Sequence, residues 1–510
     1  MAATAGTSAD IGKPQGLFYR IKSSRPEVSC IVKDVFQSSL PTWADLPAGL
    51  GLGMSWNLLW SWGRPKLDPS QLLVWQRVNY FKDSQHLTRK DWLKRSLQRL
   101  TSSGGKTARY FDIMPLTFLL PQEYTSFVRA FYEVEANRGG ALPSSEIQSL
   151  LSAAARPGEE PGLLQNSALD PVAALAAALS QKGGGGERRE NPSASVSNLW
   201  ILKPVGLSRG RGISLVQDVG AVVYSQASVI QKYIERPLCL GGYKFDLRLF
   251  VLVTSFRPLE AFIYEEGFAR LSSLPYSLSG DSLENKFVHL TNSSIQKQNR
   301  EGMSADNPAM SAAGPGDEGK YEAGGSKIPL LGENGLWQRL KNHGVQREAV
   351  WSKICGLVVK SLVAVDEHLS YQPCSFEVFG YDVLLDADLR PWLIEVNASP
   401  SLARETPLDV RVKNAMIRDT ILLLDPAPFN RAAIVEVLKR RLKEISKNKV
   451  ILSRSDPDLN PDMCRILEGF IPRKYGELPK YLGEYRMICP NTSAYEQTMR
   501  KKNKLIKSLP

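Results

Sequence analysis

The six cysteines (Cys30, Cys239, Cys355, Cys374, Cys464 and Cys489) form no Cys-x-x-Cys pair anywhere in the 510 residues. That scatter excludes a zinc framework or a disulfide scaffold and suits reduced thiols in the cytosol. Long apolar runs are equally absent: no stretch reaches the roughly eighteen residues that a membrane span needs. The start of the chain, MAATAGTSADIGKPQG, carries no apolar signal segment, so neither secretion nor a membrane span is expected. Acid is short too, with 52 Asp and Glu against 64 Lys and Arg, a net charge of +12 and a pI near 9.3. An acidic partner is therefore expected, whether nucleic acid, an anionic membrane or an acidic protein surface. The 43% hydrophobic and 23% charged composition is that of a globular protein whose length exceeds one comfortable core.

What is present is most concentrated from Phe376 to Leu402, FEVFGYDVLLDADLRPWLIEVNASPSL. Val378–Leu385 and Pro391–Val396 read as two strands, and Asp386-Ala387-Asp388 supplies the turn between them. Asp382, Glu395 and Asn397 offer three hard oxygen ligands on neighbouring strands, the set a magnesium ion holding a nucleotide phosphate requires. The plainer alternative is a buried hairpin with edge charges, and for Asp386 and Asp388 it is the better reading. Glu395 differs, because Leu393, Ile394 and Val396 flank it in a run that should be buried. A carboxylate there needs a cation or a hydrogen-bonding partner.

Along the rest of the chain, Trp43, Trp56, Trp60, Trp62, Trp75 and Trp92 read as core aromatics rather than ligand-stacking ones, with a buried strand in Met54–Trp62. Thr88 is placed to cap a helix running to Leu100, with Lys90 in its first turn, either facing phosphate or simply solvated. Phe111–Leu120 reads as a strand and Pro121–Val134 as a helix. Residues 138–197 and 298–331 are rich in Gly, Ala, Pro, Ser and Asp and read as mobile insertions, the first with an Ala-rich helix at Pro171–Ser180. The strand Leu199–Pro204 ends in Lys203, and Ser208–Ile213, SRGRGI, supplies amides and guanidiniums that could close over phosphates. Tyr243–Val253 alternates, with Lys244, Asp246 and Arg248 on one face; its fully apolar continuation favours a polar cleft over a solvated exterior. Phe262–Arg270 reads as one strand, His289-Leu-Thr-Asn292 follows, and Gln346–Leu369 and Val410–Leu424 read as packing helices. Arg431–Lys449 is an amphipathic helix with one cationic face, a theme repeated at Arg500–Lys504.

Taken in order, ILKPVGLSRGRGI, QKYI, YKFDLRLFVLV, EGFAR, HLTNSSI, FGYDVLL and PWLIEVNASPSL resemble the tubulin tyrosine ligase-like family, and best its polyglutamylase branch. The resemblance implies an α/β (α+β) ATP-grasp fold. Its parts would be a smaller N-terminal lobe at 14–110, a central lobe at 111–235, a catalytic lobe at 236–425 and a basic helical extension at 426–510 that contacts microtubules. Carried over by position, Lys90, Lys203, Arg209 and Gly210 meet the phosphates of ATP, and Gln231, Lys232, Tyr233 and Ile234 line the adenine. Lys244 and Asp246, with Phe245 between them, hold adenine and ribose, and Thr291 and Asn292 reach the terminal phosphate. Arg270 and Lys413 grip the incoming amino acid, Asp382, Glu395 and Asn397 bind Mg2+, and Arg248, Arg270, His289 and Glu395 serve catalysis. The implied partners are free L-glutamate and the acidic tails of tubulin, bound by a monomer in the cytoplasm, on the cytoskeleton or in a cilium or basal body, without nucleic acid or membrane.

Three rivals stand beside that reading. Glycylation or tyrosination could run on the same scaffold, or the chain could be a catalytically silent microtubule-binding protein. A nucleic-acid binder is disfavoured, because the basic helix lacks aromatics for base stacking.

Overall fold

The computed structural model describes residues 16–46, 53, 55–102, 104–137, 198–206, 210–222, 227–297, 299, 326–448 and 459–508. The 138–197 segment with its Ala-rich stretch, most of 298–331, and Arg209 lie outside these residues.

Three sheets organise the chain. The first is parallel, in the order β2-β1-β3-β4, from β1 (Leu17–Lys22), β2 (Trp43–Asp45), β3 (Leu58–Ser61) and β4 (Arg77–Val78). Its Trp60 packs on Phe376 with ring centroids 5.9 Å apart, and Trp56 and Trp75 are also buried as core aromatics, whereas Trp43, Trp62 and Trp92 are only half-buried, Trp92 beneath the Arg89 guanidinium at 4.7 Å. The second is antiparallel, in the order β5-β8-β6-β7, from β5 (Thr117–Leu120), β6 (Trp200–Pro204), β7 (Ser214–Val216) and β8 (Ser228–Lys232).

The third has eight strands: β9 (Cys239–Leu240), β10 (Tyr243–Phe256), β11 (Leu259–Tyr264), β12 (Phe268–Leu271), β13 (Lys327–Pro329), β14 (Glu377–Leu385), β15 (Pro391–Asn397) and β16 (Tyr485–Cys489). β10 pairs with β14 on one side and with β11 and β12 on the other, all antiparallel, which is why LRLFVLV is apolar on both faces. Phe379, Tyr381 and Val383 face the Arg347–Val365 helix, whose Val350, Ile354, Leu357, Ser361, Leu362 and Val365 are all buried as the stripe predicts. Each large apolar side chain buried there contributes about 1.5–3 kcal/mol. The opposite face takes the Pro407–Leu424 and Pro26–Ser39 helices.

Several boundaries differ from the sequence reading. Phe262–Arg270 is two strands, β11 and β12, because Gly267 turns where an added Cβ would lie 2.5 Å from the Arg248 carbonyl oxygen. Within 298–331, Lys327–Pro329 is not insertion but a strand paired with β12. The buried Glu266 carboxylate holds it, accepting the amides of Gly267, Leu330 and Leu331. Thr88 ends a short turn and donates to the Ser84 carbonyl, so the Lys90–Thr101 helix starts after Arg89 with no side-chain cap. Only Thr117–Leu120 of Phe111–Leu120 is extended, since Phe111 closes a turn on Ala108, and the following helix runs Tyr124–Asn137. The extension at 426–510 is not wholly helical: β16 joins the central sheet beside β11. Among the described residues no helix is long and apolar enough to cross a membrane.

Candidate active site

The cleft lies between the second and third sheets and encloses about 880 Å³ of space open to solvent. Strand alternation sends Lys244 and Asp246 of β10 into it, while Phe245 goes to the opposite face, fully buried in the hydrophobic core. The side chain of Phe245, expected at ATP, is therefore a core residue.

On the hairpin, Asp382 faces Glu395 across the β14–β15 ladder, and the register then slips so that Val383 pairs with Leu393. This bulge turns Ile394 and Glu395, neighbours in sequence, into the same cleft. Asp382 is enclosed by guanidiniums: Arg248 Nε at 2.6 Å and Nη2 at 3.1 Å, and Arg270 Nη2 at 2.9 Å. Burial opposes its charge, but the two arginines outweigh it and hold the carboxyl well below the usual range. Arg270 also grips Asp246 through two bonds, and these acids overcome burial to keep it charged. Glu395 pairs with Lys90 Nζ at 2.8 Å and accepts from Asn397 Nδ2 at 3.2 Å. Lys90 thus meets the cation-seeking Glu395 rather than solvent alone.

Lys203 Nζ donates to Gln231 Oε1 (2.7 Å), and Gln231 Nε2 to Thr117 Oγ1 (2.8 Å), a relay joining three strands of the second sheet. Burial lowers the Lys203 pKa to about 8, with Glu395 opposing. Lys244 Nζ donates to the Tyr233 hydroxyl (2.8 Å) and the His289 carbonyl (2.9 Å), and burial lowers its pKa to about 7. His289 is buried, and burial followed by the Lys244 charge lowers its pKa to about 4. Its Nε2–H donates to the Ser282 carbonyl (2.9 Å), so Nδ1 accepts from Tyr233 (2.9 Å). Both ring nitrogens of this neutral imidazole are engaged.

Gln231, Lys232, Tyr233 and Ile234 line the cleft, as do Thr291, Asn292 and Gly210. At Gly210, φ is +76°, and a Cβ would stand 2.1 Å from Ile295 Cδ1 and 3.3 Å from Asn292 Oδ1, so only glycine lets this loop settle on them. Lys413 sits apart, paired with Asp409 at 2.7 Å beside Lys327 and 5.7 Å from the Phe268 ring. Asp386 accepts turn amides and Asp388 is exposed, as the plainer reading has it. Sequence reasoning missed the apolar walls, Ile201, Ile213, Leu290, Leu384 and Ile394, which look like core, and it missed the Tyr233–Lys244–His289 chain.

A family model for the tubulin-tyrosine ligase family matches residues 66–149, 175–314 and 331–434, more than half of the chain. The chain belongs to the tubulin-tyrosine ligase family. All the cleft residues named above lie in the matched segments. Similar family members include the tubulin polyglutamylase TTLL5 of Homo sapiens, 30% identical over 388 residues, covering 73% of this chain and 24% of that protein. The tubulin monoglutamylase TTLL4 of Homo sapiens is 30% identical over 376 residues, 71% of this chain and 25% of that protein. The tubulin polyglutamylase ttll-5 of Caenorhabditis elegans is 29% identical over 460 residues, 87% and 54% respectively. The chain thus spans about a quarter of the human proteins and about half of the nematode one.

Proposed function

We propose that this chain is an ATP- and magnesium-dependent tubulin polyglutamylase, joining glutamate to glutamate side chains of tubulin tails. The observation that carries the proposal is the charge of the cleft. Three acids, Asp246, Asp382 and Glu395, line it with five cations, Lys90, Lys203, Arg211, Lys232 and Lys244, and Arg248 and Arg270 pair with Asp382 at its wall, an excess that suits a polyanion. The relatives, named as tubulin polyglutamylases and a monoglutamylase, support this reading.

Among the described residues no three His, Cys, Asp or Glu side chains converge on one point. Two acids and the Asn397 amide fit magnesium all the same, because that ion takes one or two carboxylates and completes its shell with phosphate oxygens and water. Asp382, Glu395 and Asn397 would hold it, and the bound ion would neutralise phosphate charge. Lys90 and Lys203, with Gly210 and its sequence neighbour Arg209, neutralise and seat the phosphates; Gln231 to Ile234 frame the base, and Lys244 and Asp246 the base and ribose. Thr291 and Asn292 reach the terminal phosphate, and Arg270 with Lys413 receives the incoming glutamate. His289, neutral and doubly bonded, orients Tyr233 and Lys244 rather than moving a proton.

An oxygen of the acceptor γ-carboxylate attacks the γ-phosphorus of ATP as the bond to ADP breaks, leaving an acylphosphate. The α-amine of glutamate then attacks the acyl carbon, phosphate leaves, and the amine gives up a proton. Both steps bring anions together, and Arg248, Arg270 and the lysines offset that repulsion. The acidic tails suit a chain of charge +12 and imply a cytoskeletal location.

Mass spectrometry of tubulin tails after incubation with purified chain, ATP, magnesium and labelled glutamate, glycine or tyrosine tests the reading. Glutamate adducts are expected; glycine or tyrosine adducts instead, or full activity in Glu395→Gln, would overturn it.

A further inference from the structure

The family match ends at residue 434, and a different surface begins there. Of the twelve large apolar side chains exposed among the described residues, eight fall between 435 and 481. Such crowding marks an interaction surface rather than ordinary scatter. Four of them, Val435, Leu438, Leu442 and Ile445, lie on the Arg431–Asn448 helix and are 49%, 43%, 65% and 38% exposed. Their spacing alternates three and four, and at 3.6 residues per turn they fall in one stripe roughly 80° wide.

The far side of this helix is already used. Ala433 and Val437 are buried in a small core with Trp75, Phe429 and Ile466, and Arg441 pairs with Asp462 at 2.7 Å. The stripe is therefore a second apolar face with no partner among the described residues. Lys439 and Lys443 border one edge of it, and among the described residues neither has an ion-pair partner. The acids of the same helix are committed elsewhere, Glu436 to Arg465 and Glu444 to Arg440.

We propose that this face docks an amphipathic helix of another protein, one with an apolar stripe flanked by acidic residues. A second copy of this chain fits less well, because self-pairing would set Lys439 and Lys443 against their own kind. From Val435 to Ile445 the seam is only about 15 Å long, two heptad layers, so the complex is reversible rather than permanent.

The test uses the full chain and two fluorescent synthetic peptides with leucines at the first and fourth positions of each heptad, flanked by glutamates in one and lysines in the other. Fluorescence anisotropy should show the glutamate peptide binding at least about tenfold more tightly, with the preference shrinking in about 0.5 M salt. Leu438→Asp with Leu442→Asp should weaken binding about tenfold or more at an unchanged circular dichroism spectrum. Lys439→Glu with Lys443→Glu should invert the peptide preference. Equal binding of both peptides, undiminished binding by the double Asp variant, or a wild-type dimer in sedimentation that this variant dissolves would each overturn the proposal.

Discussion

Glu377 and Asp382 sit on the same strand, both buried, and their surroundings drive the two carboxyls in opposite directions. At Glu377 burial dominates and raises the pKa to about 8; its oxygen accepts the Phe81 amide at 3.2 Å, and Ser84 adds a second hydrogen bond. At Asp382 the same burial is overcome by Arg248 and Arg270, and the group stays ionised. One end of β14 is thus a neutral joint to the N-terminal region, and the other is a charged cleft. Depth does not separate them. Counter-charge does, and the acid with cations around it is the one placed to take part in chemistry.

The same chemical change at the two ends should give opposite results. Asp382→Asn removes the shared partner of buried Arg270 and half-buried Arg248, and glutamylation should fall about 10³-fold in a labelled-glutamate assay. If Asp382→Asn keeps activity while Glu377→Gln loses it, the contrast is inverted. Lys203→Met, which strips the cleft of a cation while its Gln231–Thr117 relay stays in place, should cost about 10²-fold in kcat/KM. Glu377→Gln should leave that assay unchanged and alter the pH dependence of stability. Its folded pKa lies above the unfolded value, so its contribution is complete below about pH 4.5 and is lost as pH rises through about 8. Glutamine stays neutral throughout, so urea denaturation should show the variant's advantage over wild type growing by roughly 3–4 kcal/mol between pH 5 and pH 8.5. The smallest effect belongs to Gly210→Ala, where a strained backbone and the Ile295 contact should raise KM for ATP about three- to fivefold.

Much of the cleft was legible because its signals are local. The polar face of β10 and the two strands of the hairpin follow from alternation of period two, and Lys203 follows from a strand ending in a cation before a glycine-rich loop. Glu395 was singled out because a carboxylate in an apolar run needs a partner, and Lys90 supplies one at 2.8 Å. What stayed hidden lacks a local signature. β13 is three residues at the end of a polar, glycine-rich stretch and exists because Glu266 collects the amides around it. β16 lies in a basic region that reads as helical, and only an open edge of the central sheet makes it a strand. Ile394 joins Glu395 in the cleft through a bulge that sequence periodicity excludes.

By itself, the order of residues determined which groups would carry charge into a cleft and which strands would hold them, because side-chain direction alternates with position wherever a strand runs without a bulge. Tertiary structure alone decided how those charges are shared. Asp382 lies between two arginines from different strands, Lys244 and His289 meet through Tyr233, and Lys413 stands beside Asp409, away from the lysines that line the cleft. Such pairings join residues up to 134 positions apart, and their energies depend on a dielectric environment that exists only once the sheets have closed around them.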